Sequence, residues 1–150
     1  MRRRGFAAVE VIMAVAVVAI LARVALPAVR EWRLRGEAAE VVDAVRDLEA
    51  AARQAHQEQG PSAGSGAPLG ETPAGLAPFL PAGFAFRSAR FELGWSQWSL
   101  GEVTGARLRG ERVGTITVRI PDPGLRSAFQ RLAEPSLWLL SGDSFAFLVP

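Results

Sequence analysis

Residues 6–59 read as one helix with two different faces, and that stretch sets the limits for the rest of the chain. No turn signal strong enough to end a helix appears before Gly60-Pro61, where glycine supplies a C-cap and proline prevents continuation. The first third, residues 6–22, is apolar apart from Glu10 and spans about 26 Å at 1.5 Å per residue. With Arg23 snorkelling and residues 24–29 adding apolar length, it suffices to cross a hydrocarbon core of about 30 Å once. Trp32 then falls where an interfacial aromatic anchor belongs. Pro27 withdraws a donor from the carbonyl of Arg23, so a kink or local melting is expected there.

From Leu34 the pattern changes. Leu34, Ala38, Val41, Val45, Leu48, Ala52 and Ala55 alternate steps of four and three, which places them on one face; Glu40, Asp43, Arg46, Asp47, Glu49 and Arg53 lie largely on the others. Such a stripe packs on a sheet of the same chain, or forms a coiled coil with another. The sequence thus divides the helix into a membrane-like half over residues 6–29 and an amphipathic half over 30–59.

Glu10 is the anomaly. A charged side chain within a membrane helix costs about 2.5 to 3.5 kcal/mol on insertion scales, so it calls for a specific partner. Arg2, Arg3 and Arg4 ahead of an apolar run fit the basic flank of a signal peptide or of a membrane helix, and Arg3-Arg4-Gly5-Phe6 overlaps a twin-arginine export pattern. Neither reading uses the carboxylate. Cleavage after Gly5 would leave the ammonium of Phe6 as the terminus, with Glu10 one helical turn on, where it can neutralise the amine of a neighbouring subunit.

Gly5, Phe6 and Glu10, behind a short basic leader, resemble the class III leader of type IV prepilins and type II secretion pseudopilins position by position. Ala7-Ala8 stands where that family usually has Thr-Leu or similar, a departure that touches neither cleavage nor charge. The resemblance implies a leader over residues 1–5, a transmembrane and assembly helix over 6–29, its amphipathic continuation over 30–59, and an antiparallel-sheet head over 60–150. It also implies an α+β, pilin-like fold. Prepilin peptidase would cut after Gly5 and N-methylate Phe6. Glu10, Phe6 and Pro27 would act in assembly with other pilin or pseudopilin subunits on an inner-membrane platform. The expected location is the cytoplasmic membrane, single-pass with the head outside the cytoplasm, and then the fibre.

Composition is compatible. The chain has 150 residues and a formal charge of +2, with 17 basic residues (all arginine) against 15 acids; losing Arg2, Arg3 and Arg4 leaves 14 against 15, or −1. A mature polycation is excluded. There is no cysteine, which removes disulfides, thiolate metal sites and cysteine nucleophiles. Many type IV pilins close their C-terminal region with a disulfide, so this chain must hold that region by packing alone.

In the head, residues 60–70 read as a surface loop. Residues 72–80 form a short helical turn with Leu76, Phe79 and Leu80 inward. Residues 84–86 and 90–95 read as strand, 97–103 as its antiparallel partner, and 114–120 as a third strand with Ile116, Val118 and Ile120 on one face. Residues 125–133 have the spacing of a short helix, and 137–140 with 144–149 form a hairpin about Ser141-Gly142-Asp143. A sheet of four or five antiparallel strands is expected on the upper half of the long helix.

Little in the head suggests chemistry. His56, the one histidine, reads as a solvated helix-end residue, since a catalytic histidine needs a nucleophile and an orienting acid. Asp122, Glu134 and Asp143 are oxygen donors that calcium would accept, but the calcium loop of type II major pseudopilins has no match here. No cofactor or metal is expected. Arg107, Arg109 and Arg112, with Trp95 and Trp98 nearby in sequence, allow contact to nucleic acid, though Glu111 interrupts the cluster and a solvated loop is favoured. A structural subunit of such a pilus or pseudopilus, a minor component and not an enzyme, is the expectation; a DNA-binding minor pilin and an exported or signal-anchored soluble domain are the alternatives.

Overall fold

The computed structural model describes residues 8–60, 66–99, 112–133 and 137–149. Helix α1, Ala8–Gln59, runs 52 residues and continues through Pro27, so the segment before the proline is not melted. Gly60 ends it at φ +77°, donating its N–H to the His56 carbonyl at 2.9 Å. Only glycine adopts that left-handed conformation without a Cβ penalty.

The head is α+β. Strands β1 (Glu92–Ser99), β2 (Arg112–Arg119), β3 (Leu137–Ser141) and β4 (Ser144–Val149) form one antiparallel sheet in the order β1-β2-β4-β3, and helix α2 (Pro123–Leu132) links β2 to the final hairpin. Period-2 alternation sends Leu93 and Trp95 of β1, Ile116 and Val118 of β2, and Phe145 of β4 to one buried face. Register brings them opposite one another: Leu93 with Val118, Trp95 with Ile116, and Val118 with Phe145. Against this face lie Ala38, Val41, Val45, Leu48, Ala52 and Ala55 of α1, together with Leu125, Ala128 and Phe129 of α2. The stripe beginning at Leu34 is therefore an intrachain packing face, with Leu34 partly buried and Ala51 added to it. The Phe129 ring sits 5.4 Å from that of Phe145 and 6.1 Å from that of Phe147.

Two strand expectations are corrected. Residues 84–86 are not a strand: Phe84 and Phe86 stack edge to face at 5.4 Å, and the Phe86 carbonyl accepts from Leu93 in a turn that doubles back on β1. No hairpin turns at Ser96 either. β1 continues through Ser96 to Ser99, because its alternation is unbroken, and Gln97 pairs with Gly114 of β2. The partner of β1 therefore lies beyond residues 100–111, which with residues 97–103 as a separate strand fall largely outside the described residues. The expected turn near residue 76 is present as a short 3₁₀ segment, Ala77–Phe79, with Leu76 fully buried.

The outer edge of β1 is covered by residues 66–70. Ala67 and Gly70 donate to the carbonyls of Trp95 and Leu93 at 3.1 and 2.7 Å, satisfying groups that would otherwise offer an open sheet edge.

Helix α2 starts two residues earlier than its apolar spacing suggests. Pro123 occupies the first turn, where its missing N–H is no loss, and Asp122 Oδ1 accepts from the Leu125 N–H at 2.6 Å. From α2, Arg126 clamps the neighbouring turns: Nε donates to the Ile120 carbonyl at 3.2 Å, Nη2 to Pro121 at 3.0 Å, and Nη1 to Gly142. One guanidinium thus fastens the end of β2 to the β3–β4 turn. In a domain without disulfides, such a fastener replaces a covalent one.

Asp143 in that turn accepts from Arg119 Nε at 3.0 Å and from Ser144 Oγ at 2.9 Å. The Arg119 hydrogen bond, followed by that of Ser144, holds the Asp143 carboxyl below its ordinary value of 3.8. A carboxyl depressed by folding stabilises the head above its unfolded pKa and loses that contribution as pH falls through the folded value. Arg119, raised by the same hydrogen bond and by the charges of Asp143 and Glu92, stays protonated throughout that window. Thermal unfolding at pH 7 and pH 3 should accordingly show a smaller acid loss for Asp143→Asn than for the parent; an equal loss would assign the acid sensitivity elsewhere.

Candidate functional site

Among the described residues, the first half of α1 is a long stretch in which no residue is buried. Its most apolar 18-residue window has a mean hydropathy of 2.5 and not one buried residue. Val9, Ile12, Met13, Val18, Ile20, Leu21 and Val24 are all more than 60% exposed, an arrangement water opposes at roughly 25 cal/mol per Å² of apolar surface. From Ala8 to Val29 the helix rises about 33 Å, enough for one hydrocarbon core. This helix is long and apolar enough to cross a membrane. The contrast with the second half is sharp: from Ala38 onward the same helix buries seven side chains against the head.

Glu10 lies in the first turn of the described helix, exposed, with apolar neighbours on every side. At that position its carboxylate sits near the positive end of the helix dipole, which favours an anion. Pro27 lies within the exposed segment. Gly5 and Phe6, the expected cleavage and methylation positions, fall outside the described residues. So do Arg107 and Arg109, and of Arg112 only its backbone place at the start of β2 is described.

The other candidate groups are in structural use. Asp122 caps α2 and Asp143 is paired with Arg119, while Glu134 lies outside the described residues. Among the described residues no three histidine, cysteine, aspartate or glutamate side chains come together as metal ligands. His56 is exposed in the last turn of α1. Trp95 is 4% exposed and packs in the core, so it presents no stacking surface for a base.

Sequence reasoning missed one juxtaposition. Just above the apolar half of α1, Arg30, Arg33 and Glu37 line a groove completed by Arg90 from the turn before β1 and by Asp122 and Leu125 at the start of α2. The spacing of Arg30, Arg33 and Glu37, three then four, was a visible signal for a shared face; that Arg90 would join them was not. Comparison of the chain with known protein families, with curated proteins and with solved structures finds no match.

Proposed function

We propose that this chain is a structural subunit, one of the minor components, of a type IV pilus or type II secretion pseudopilus. The observation that carries the reading is the division of a single helix: residues 8–29 are apolar apart from Glu10 and Arg23 and none of them is buried, while residues 38–55 are the spine of the head. A helix built this way is anchored by lipid before assembly and by neighbouring helices afterwards, since both environments bury the same surface. The leader residues Gly5, Phe6 and Glu10 supply the specific form of the proposal. Prepilin peptidase cuts after Gly5 and methylates the Phe6 amine. The subunit then waits in the cytoplasmic membrane with its head outside the cytoplasm. On extraction into the fibre by the assembly platform, Glu10 compensates the amine of a neighbour and sets the axial register. The chain is acted on by an enzyme and performs no catalysis.

Mass spectrometry of the mature N-terminus tests this directly. The expected terminus is N-methylated Phe6, lighter than the translated chain by residues 1–5. A terminus beyond Ala22 would instead identify an exported domain with a cleaved signal and overturn the pilin reading.

A further inference from the structure

Where α1 leaves its apolar segment, the chain is basic. Arg30, Arg33 and Arg35 follow Val29 closely, with Glu31 the one acid among them, and Glu31 is held by Arg35 at 2.7 Å. Arg30 has no partner among the described residues, and Arg33 reaches Glu37 only at 3.9 Å. Along the axis, Arg30 and Arg33 stand about 1.5 and 6 Å beyond Val29, the depth of a phospholipid headgroup if Val29 marks the edge of the hydrocarbon. Trp32, 76% exposed between them, occupies the same level and suits an interface, where an amphipathic ring has one wet and one apolar side.

The head turns this basic collar into a site. Arg90 pairs with Glu37, which brings a third guanidinium to the same groove from a distant part of the sequence. Glu37 is only 17% exposed and answers two arginines at once, so the rim keeps a cationic surplus. The groove has a volume of about 500 Å³, and Leu34 and Leu125, the latter at the first turn of α2, give it apolar lining. Asp122, the other acid beside it, is engaged with the Leu125 N–H. Cationic side chains beside apolar ones, in a groove lined by the residues that directly follow the membrane-length segment, have the chemistry for a phosphodiester with its glycerol and first methylenes.

We propose that this groove binds the headgroup of an anionic phospholipid of the leaflet beneath the head. The inference rests on residues 6–29 spanning a membrane. It also answers a difficulty in that reading: arginines flanking a span favour the cytoplasmic side, yet Arg30, Arg33 and Arg35 lie on the head side, opposite a leader whose three arginines are lost on cleavage. Anionic lipid bound at the groove compensates the displaced charge and fixes how deep the subunit sits.

Spin-label EPR of the full chain in phosphatidylcholine vesicles tests the proposal, comparing probe lipids with phosphatidylglycerol and phosphatidylcholine headgroups. About 1 kcal/mol per arginine near an anionic surface corresponds to about fivefold in association, so the motionally restricted population should prefer phosphatidylglycerol by at least about fivefold. Arg30→Gln with Arg33→Gln should bring that ratio close to one; neither residue holds the fold together. Arg46→Gln with Arg53→Gln, on the same helix but about 20 Å or more further along, should leave it unchanged. Equal association of the two lipids with a parent protein that survives alkaline extraction overturns the proposal and leaves the membrane span standing. An equal fall in both double variants overturns it too, by showing diffuse attraction to the whole chain. Loss of the parent from the vesicles on alkaline extraction overturns the membrane span and this proposal with it.

Discussion

Gly114→Ala is expected to destabilise the head by about 3 kcal/mol, the upper part of the range for overpacking a tight core. Gly114 lies in β2 beneath the Trp95 indole. An added Cβ would come within 2.9 Å of Cζ2 and 3.0 Å of Cζ3, and closer still to Cη2. The ring has nowhere to go, since Trp95 is 4% exposed and sits among Ile116, Leu93 and the helix stripe. Gly36 in α1 provides the opposite case. Nothing lies within 4 Å of a Cβ there, so Gly36→Ala should stabilise by about 0.8 kcal/mol through helix propensity alone. Thermal unfolding followed by near-ultraviolet circular dichroism should separate them: a fall of about 15 °C for Gly114→Ala and a rise of a few degrees for Gly36→Ala. Combining Gly114→Ala with Trp95→Phe should recover part of the loss, and an additive double variant would refute the indole clash.

Glu10→Ala is the second large effect, and its two consequences have opposite signs. Removing the charge lowers the cost of membrane insertion by about 2.5 to 3.5 kcal/mol, so the variant should be found in the membrane at parental level or above. The head, remote from residue 10 along α1, should unfold at the parental temperature. On the proposed role, assembly should nevertheless fall more than tenfold, because each Phe6 amine buried in a fibre would lack its counter-charge. Glu10→Gln should fail similarly, which separates charge from side-chain size. Counting fibres, or sedimenting assembled subunits from cells carrying the variant, measures this. Normal assembly by Glu10→Ala would remove the basis for assigning that residue to subunit contact.

The parts of the fold that were legible in the sequence are those set by local periodicity. The stripe from Leu34 to Ala55 could be read because a helix repeats every 3.6 residues over many turns, and the stop at Gly60-Pro61 because both residues act through their own backbone. Ile116, Val118 and Ile120 were legible for the same reason with period two. The break expected between residues 95 and 97 shows where this fails: period two runs unbroken across Ser96, and the glycine in that strand, Gly94, is there for close approach, since Leu69 packs 3.0 Å from where its Cβ would be. The basic groove was only half legible, since Arg30, Arg33 and Glu37 belong to one helix face while Arg90 and Asp122 arrive by tertiary folding. Arg126, which donates to three carbonyls, gave no signal at all, because a residue that reads backbone groups leaves no complementary side chain to notice.

The way α1 joins the head also determines how the chain bears force applied along that helix. Its buried stripe, from Ala38 to Ala55, lies along the helix axis for about 26 Å, so tension applied through the N-terminal half acts parallel to that contact. Every turn of the stripe must slide at once for the head to come away, whereas a helix pulled sideways would peel off one turn at a time. The geometry is that of a lap joint, strongest along α1, which is the direction in which the proposed fibre would be stretched.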